Sequence, residues 1–245
     1  MRMINGAVML THTGTCTIDT QRLILRRFEL SDTEAVFRNW ASDEAVQKMY
    51  SEPVYETMEA ARGLVEKYIA RYECDDCYRW AVILRETGEC IGQIAYFMVD
   101  SKNHFTEIEY CIGAAFQGRG YATEAAKAVI GYGFEKIGLH KVQICCKEIN
   151  PKSRRVIEKC GLTYEGMLRD YFFMDGSYTG RLYYSILESE YKKNKADLGA
   201  NEEKDDFTDN DYINDNGKYV KHQKGIHADK IIFPSFTEVL NAVEE

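Results

Sequence analysis

Phe116-Gln117-Gly118-Arg119-Gly120-Tyr121-Ala122-Thr123 follows an alternating run that ends at Ile112 and precedes a long segment of helical periodicity. A glycine-rich turn between a strand and a helix leaves several backbone N–H groups unpaired at the positive end of the helix dipole, which suits a phosphate. Gly118 and Gly120 let such a ligand approach closely, with no Cβ in the way. Three nucleotide-binding patterns compete for the stretch. A P-loop needs Gly-Lys-Ser/Thr, whereas Tyr121 follows the second glycine here. A dinucleotide fingerprint needs a third glycine where Thr123 stands and a βαβ unit around it, which the preceding strands do not supply. What remains is Q-x-x-G-x-A, from Gln117 to Ala122.

Working outward, residues 106–112 read as a strand, and residues 121–137 as a helix whose stripe includes Ala125, Ala126, Val129, Ile130 and Phe134. Gly138 ends that helix. Upstream, residues 78–84 and 90–97 flank Glu86-Thr87-Gly88-Glu89 as a hairpin, and residues 57–72 form an amphipathic helix. Residues 20–28 are strand-like. Ser31-x-x-Glu34 predicts a capping box opening a helix through Trp40, and Ser42-Asp43-Glu44 a second helix toward Met49. Downstream, residues 141–146 are a strand, Asn150-Pro151 a turn, and Ser153 the cap of a short helix ended by Gly161. Residues 162–169 and 181–187 close the domain as strands joined across Asp175-Gly176. This order predicts a mixed α/β domain and not a doubly wound one.

Composition narrows the partners. Of the 245 residues, 45% are hydrophobic and 29% charged, as in globular domains, and no apolar run approaches the roughly 20 residues that span a bilayer. No membrane partner and a cytoplasmic location are expected. Eight cysteines sit mostly inside apolar strand-like runs, where a free thiol is a small buried hydrophobe. Cys74-x-x-Cys77 is the one metal-like spacing; it lacks a second ligand pair, so no metal is expected. The net charge is −8, and residues 195–245 hold 6 Lys/Arg against 12 Asp/Glu. The basic surplus of a nucleic-acid binder is absent. The acids of residues 202–215 fail the EF-hand spacing, because Ile213 and Asn214 fall at its fifth and sixth positions. Three segments follow: a lead-in at 1–19, a domain at 20–191, and an acidic linker with a C-terminal extension at 192–245. In the extension, an apolar run at 230–233 and a helix capped by Ser235 could dock in trans, which leaves monomer or homodimer open.

Ile112-Gly-Ala-Ala-Phe-Gln-Gly-Arg-Gly-Tyr-Ala-Thr-Glu-Ala125, Asn150-Pro-Lys-Ser153, Cys160-Gly-Leu162 and Thr20-Gln-Arg-Leu-Ile-Leu-Arg26 together resemble the GNAT superfamily of acetyl-CoA-dependent N-acetyltransferases. The branch is similar to the ribosomal-protein N-terminal acetyltransferases RimJ and RimL, and the resemblance covers residues 20–191. It implies a GNAT fold: a central mixed, mostly antiparallel sheet flanked by helices, with the acidic C-terminal extension left unexplained. It further implies that the amides across Gln117, Gly118, Arg119, Gly120, Tyr121 and Ala122 bind the CoA pyrophosphate. Asn150 and Ser153 match a second CoA-contacting segment, and the amide near Ile112 and Gly113 is the implied donor to the thioester carbonyl. Arg119 either adds charge at the turn or is solvated; Asn150 and Ser153 serve equally well as turn residue and N-cap.

Acetyl transfer needs a neutral amine, a polarised thioester and a proton for the leaving thiolate, with no acyl-enzyme, so Cys111 need not be a nucleophile. Alternation places Glu107, Glu109 and Cys111 on one face. Glu109, where relatives often carry Gly, and Glu165, in a position often acidic in the RimL-like branch, are the candidate bases; Ser153 is the candidate helper of the thiolate. An α-amine of pKa near 8 costs about 1.4 kcal/mol to neutralise at pH 7, against about 4.6 kcal/mol for a lysine ε-amine. The lack of one compelling base therefore favours an α-amine, such as a protein N-terminus, or a small-molecule amine of lowered pKa. A polyamine, antibiotic or amino-acid acceptor, drawn by acids such as Glu73, Asp75, Asp76 and Asp100, is the alternative, as is a CoA-binding module without turnover.

Overall fold

The alternating stretch that leads into the glycine turn lies in the middle of an eight-stranded sheet. The computed structural model describes residues 2–4, 7–202, 212–213 and 219–220, with side-chain surroundings from residue 9 to residue 197. β1 (Arg2–Ile4) and β2 (Ala7–Met9) form a separate hairpin. The main sheet holds β3 (Ile18–Asp19), β4 (Leu23–Arg26), β5 (Tyr78–Leu84), β6 (Cys90–Asp100), β7 (Phe105–Ile112), β8 (Lys141–Lys147), β9 (Thr163–Met174) and β10 (Ser177–Leu187). Their spatial order is β3-β4-β5-β6-β7-β8-β10-β9, and every neighbouring pair is antiparallel except β7 with β8. One parallel pair in an antiparallel sheet is the mixed architecture expected from the element order.

Period-two alternation sorts the strands between two cores. From β5, Tyr78, Trp80, Val82 and Leu84 enter the core shared with α4 (Tyr121–Tyr132) and α5 (Pro151–Lys159). Ala81 and Ile83 enter the other core, beneath α1 (Thr33–Val36), α2 (Glu44–Tyr50) and α3 (Met58–Ala70). Cys111 is buried on that second side. Thr57 caps α3 through the Ala60 amide at 3.1 Å, and Asp43 caps α2 through Val46. α4 widens into a π turn at Gly133–Ile137 and stops at Gly138, whose φ of +85° is the left-handed conformation that favours glycine.

Three local expectations change. Glu29 and Asp32 form the reciprocal capping box of the first helical turn, in place of Ser31 and Glu34. α1 then passes into a π turn at Phe37–Ala41. Asn150, not Ser153, caps the helix after the turn: its Oδ1 accepts from the Ser153 amide at 3.1 Å, with Pro151 at the first helical position. α6 (Glu188–Glu202) continues past Tyr191 into the stretch read as linker. The chain divides into two units, Met1–Lys193 and Asn194–Glu245; in the second, β11 (Tyr212–Ile213) pairs with β12 (Tyr219–Val220). The run at 230–233 and the helix after Ser235 lie outside the described residues. Among the described residues no helix is long and apolar enough to cross a membrane.

Candidate active site

The site begins where the sheet opens. β7 and β8 pair from Phe105 with Lys141 as far as Ile108 with Ile144, and there the ladder stops. β7 stays bound to β6 as far as Ile112, and β8 stays bound to β10 as far as Lys147, so a wedge opens between their C-terminal halves. Antiparallel pairing decides which amides face it. Gly113 N donates to Ile91 O at 2.9 Å, so residues 109, 111 and 113 point toward β6, and the N–H groups of Tyr110 and Ile112 point into the wedge. The two expected carbonyl donors therefore separate: Ile112 is available and Gly113 is committed. Gly113 is needed for a different reason, since a Cβ there would lie 2.5 Å from the carbonyl oxygen of Asn39.

At the mouth of the wedge lies the glycine turn. Gly118 and Gly120 have φ of +80° and +82°, and Gly120 is the N-cap of α4 without any side-chain cap. Among the described residues, no acceptor takes up the amides of residues 118–122. A Cβ at Gly118 would meet nothing within 4 Å, so the space beside Gly118 is open, whereas one at Gly120 would meet Arg22 Nη2 at 3.4 Å. Gln117 faces inward: its Nε2 donates to Ile112 O at 2.9 Å, and its Oε1 accepts from Lys152 Nζ at 3.0 Å. Arg119 is exposed, and its carbonyl is held by Arg22 Nη1 at 2.9 Å. Arg22 also bonds Glu124 at 2.7 Å and lies over the Tyr121 ring at 4.7 Å. This brace spans about a hundred residues of sequence and carries no local signal. Burial alone would raise the Glu124 carboxyl, but hydrogen bonds from the Arg22 amide, the Thr20 hydroxyl and the Arg22 guanidinium hold it below the usual range.

The opposite wall is the start of α5. Ser153 Oγ meets Tyr110 Oη at 2.8 Å, which joins α5 to the open half of β7. Burial pushes the Tyr110 phenol far up, so it stays protonated. When Tyr110 donates to Ser153 Oγ, the serine proton is free to face the wedge. Asn150, occupied as N-cap, retains its amide nitrogen for other partners.

The acids divide. Glu109 lies on the α1–α3 side, and its Oε1 accepts from Arg79 Nη2 at 2.6 Å. Arg79 also donates to Gln93, which in turn donates to Tyr50 Oη, and it packs over Tyr68 at 4.4 Å. Glu165 stands on edge strand β9, one strand beyond β10, and is not brought together with Glu109 and Ser153. Lys141 Nζ holds both of its oxygens at 2.8 Å, and Ser185 Oγ donates to it at 2.6 Å; these contacts, Lys141 first, depress its carboxyl. The helix α2 ends with Ser51 at φ +70°, and this turn sets Glu52 in the field of Glu109. Desolvation, then the charge of Glu109, raises the Glu52 carboxyl, with Arg79 opposing. Nothing in the sequence marks Glu52, because its placement depends on a non-glycine left-handed residue. Burial also raises Cys111 to about 12, so it stays a thiol. Asp100 is a turn residue that accepts from Lys102 and Asn103.

Glu44, Lys48, Glu52, Lys147 and Phe172 line a cavity of about 410 Å³ between α2 and the β9–β10 hairpin, beside the end of β8. Lys147 Nζ donates to the carbonyls of Lys48 and Met49 and stacks on Phe172 at 5.1 Å. Its burial, then the charge of Lys48, lowers the ammonium. Lys48 and Asp175 form an ion pair. Bare amides at a helix start, an open wedge lined by strand amides and a nearby polar cavity fit an anionic, amide-bearing donor arm beside an amine acceptor.

Residues 22–163 match the family model described as an acetyltransferase (GNAT) domain. The chain belongs to the GNAT acetyltransferases. Acetyltransferases of this family draw the acetyl group from acetyl-CoA, and this one is an N-acetyltransferase. Its similarity to the uncharacterized N-acetyltransferase YnaD of Bacillus subtilis is 34% identity over 174 residues, 71% of this chain and 98% of that protein. It is 37% identical over 108 residues to YdaF of B. subtilis, provisionally named a ribosomal N-acetyltransferase, covering 44% of this chain and 59% of YdaF. The structure of spermidine N-acetyltransferase from Vibrio cholerae, in complex with CoA and spermine, superposes with a TM-score of 0.62 at 25% identity. That match covers 71% of this chain and all but 1% of the other. The mixed, mostly antiparallel sheet of this acetyltransferase agrees with that likeness.

Proposed function

We propose that this N-acetyltransferase moves the acetyl group directly onto the α-amine of a protein N-terminus, with the donor in the β7–β8 wedge and the acceptor entering through the cavity beside α2. The observation that carries the donor side is the set of unpaired amides at residues 118–122, continuous with the inward amides of Tyr110 and Ile112. Acetyl-CoA supplies an activated thioester, with its pyrophosphate on the amides of the glycine turn. Ile112 N–H polarises the carbonyl, an oxyanion-hole role. Glu52 takes the proton from the attacking nitrogen, because it is the site carboxyl whose surroundings raise it, whereas Glu109 is engaged by Arg79. As the N–C bond forms and the C–S bond breaks, the Ser153 hydroxyl gives its proton to sulfur and regains one from water, while Tyr110 keeps its own proton and orients the serine oxygen.

The acceptor class follows from base strength. A single carboxyl base suits an α-amine, which costs about 1.4 kcal/mol to neutralise at pH 7, better than an ε-amine at about 4.6 kcal/mol. A polyamine is the second reading, favoured by the carboxylates of Glu44 and Glu52 in the cavity and by the spermine-bound structure of the V. cholerae relative. Release of CoA thiol, followed with a panel of free-N-terminal peptides, Nα-blocked lysine peptides and spermidine, separates them. Turnover with free N-termini and none with blocked peptides or spermidine is the expected result. Turnover with spermidine alone refutes the α-amine assignment.

A further inference from the structure

A second cluster of reactive side chains lies away from the wedge, in the turn that joins α3 to β5. Cys74, Asp76 and Cys77 place two Sγ atoms and a carboxylate oxygen all within 4.8 Å of one another. The spacing alone lacks a second ligand pair; the fold supplies a third donor from inside the motif. The turn is closed by Cys77 N donating to Cys74 O at 3.3 Å. It is also anchored from outside, since Gly14 N donates to Asp75 O at 2.7 Å and Thr15 Oγ1 to Cys77 O at 3.0 Å. Cys74 and Asp76 are exposed and Cys77 is half-buried, so an ion can enter without opening the core. Five of the other cysteines are buried or half-buried, and Cys16 is exposed but outside the cluster.

We propose that Cys74, Asp76 and Cys77 form a binding site for a thiophilic divalent cation of the zinc class, with water as the fourth ligand. Two thiolates and a carboxylate suit a borderline-soft ion that takes sulfur and oxygen donors tetrahedrally, and three protein ligands leave one open position. On binding, the two S–H protons leave to buffer, two S–metal and one O–metal bond form, and bound waters are released. Arg71, whose Nη2 stands 3.6 Å from Cys77 Sγ, is the neighbouring cation that must turn aside. Its retreat costs little at an exposed position. A cation here would pin the turn that leads into β5, the same turn that Gly14 and Thr15 hold by hydrogen bonds.

The full chain, kept reduced with a phosphine, is titrated with Cd²⁺ and then with competing Zn²⁺, while the ultraviolet thiolate-to-metal charge-transfer band is followed. One equivalent with a saturable band, displaced by Zn²⁺, is expected. Cys74→Ser and Cys77→Ser lose the band, Cys16→Ser keeps it, and Asp76→Asn weakens binding by at least the roughly tenfold that a supporting group is worth to a metal site. Zn²⁺ also raises the melting temperature of the unaltered chain and not that of the double variant Cys74→Ser/Cys77→Ser. The circular dichroism of each variant confirms that it is folded. Equal Cd²⁺ binding by a folded double variant, absence of a saturable band, or loss of the band only in Cys16→Ser overturns the assignment.

Discussion

Replacing Glu109 with Gln removes the charge facing Arg79 while keeping the length and hydrogen-bonding reach of the side chain. The pair meets at 2.6 Å, and its two side chains retain only 20% and 23% of their exposure. An arginine does not shed its proton, so after the change a cation stays in place with Gln93 and the Tyr68 face as its remaining partners. Breaking one side of a buried ion pair costs about 3–5 kcal/mol, and the residual exposure puts this case near about 3 kcal/mol. For a unit of this size each kcal/mol moves the melting temperature by roughly 2–4 °C, so a fall of about 6–12 °C is expected. Thermal unfolding of the full chain followed by circular dichroism measures it. Adding Arg79→Gln to Glu109→Gln recovers part of the loss, because the second change removes the stranded charge. The proposed role of Glu52 predicts that Glu109→Gln keeps the acidic limb of the pH–rate profile, moved to lower pH because the Glu109 charge no longer raises Glu52. A melting temperature within about 2 °C of the unaltered chain would refute the packing argument, and loss of the acidic limb would return Glu109 to the role of base.

Glu52→Gln lowers kcat by about a hundredfold at pH 7 with little change in KM for acetyl-CoA; an unchanged kcat removes Glu52 from the mechanism. Ser153→Ala lowers kcat by on the order of a hundredfold, and Tyr110→Phe lowers it less, because the serine proton survives in the second; full activity in Ser153→Ala contradicts the proton transfer. Gly120→Ala places a side chain at φ +82° at a cost of about 1–2 kcal/mol in stability, read as a lower melting temperature, and by distorting the turn it also raises KM for acetyl-CoA; an unchanged KM contradicts the placement of the phosphates there. Glu165 has its carboxyl depressed by Lys141 and Ser185, so its stabilisation is full above the ordinary carboxyl pKa of about 4.3 and is lost as pH falls through the lower folded value. Glu165→Gln therefore flattens the acid slope of the melting temperature and leaves turnover unchanged; a loss of turnover without a stability change speaks against its place outside the site.

What was legible in the sequence was short-range. The glycine turn, the strand that feeds it and the shared face of Glu107, Glu109 and Cys111 depend on neighbouring residues and on the period of the strand, and the structure keeps them together. The cap of α5 was decidable but misassigned: Asn150 and Ser153 are both good caps, and Pro151, which prefers the first helical position, picks Asn150. The surroundings of the acids are not legible in the sequence, because their partners arrive from other strands. Arg79 reaches Glu109 only through the registers of β5 on β6 and β6 on β7, and Lys141 reaches Glu165 across β10. No window of sequence contains both members of either pair. Glu52 depends on a backbone angle at Ser51 that propensity disfavours.

The two helix starts that face the wedge differ in a way that orients the donor. At α4 the amides are bare, and no side chain competes for them, so this end suits the phosphates. At α5 the Ser153 amide is already taken by Asn150, so that end offers a hydroxyl and not an anion cradle. An extended arm running from the first to the second passes the inward amides of Ile112 and then Tyr110 along the open edge of β7. The proposed arrangement thus brings the thioester to the Ser153 end with its carbonyl against strand amides, and the acceptor to it from the cavity walled by Lys147. Gln117 ties the two ends together, bonded to β7 on one side and to Lys152 of α5 on the other. Cutting that tie misaligns the thioester without altering the phosphate amides, so Gln117→Ala should lower kcat more than it raises KM for acetyl-CoA. Equal effects on both would mean that Gln117 serves the phosphate site alone.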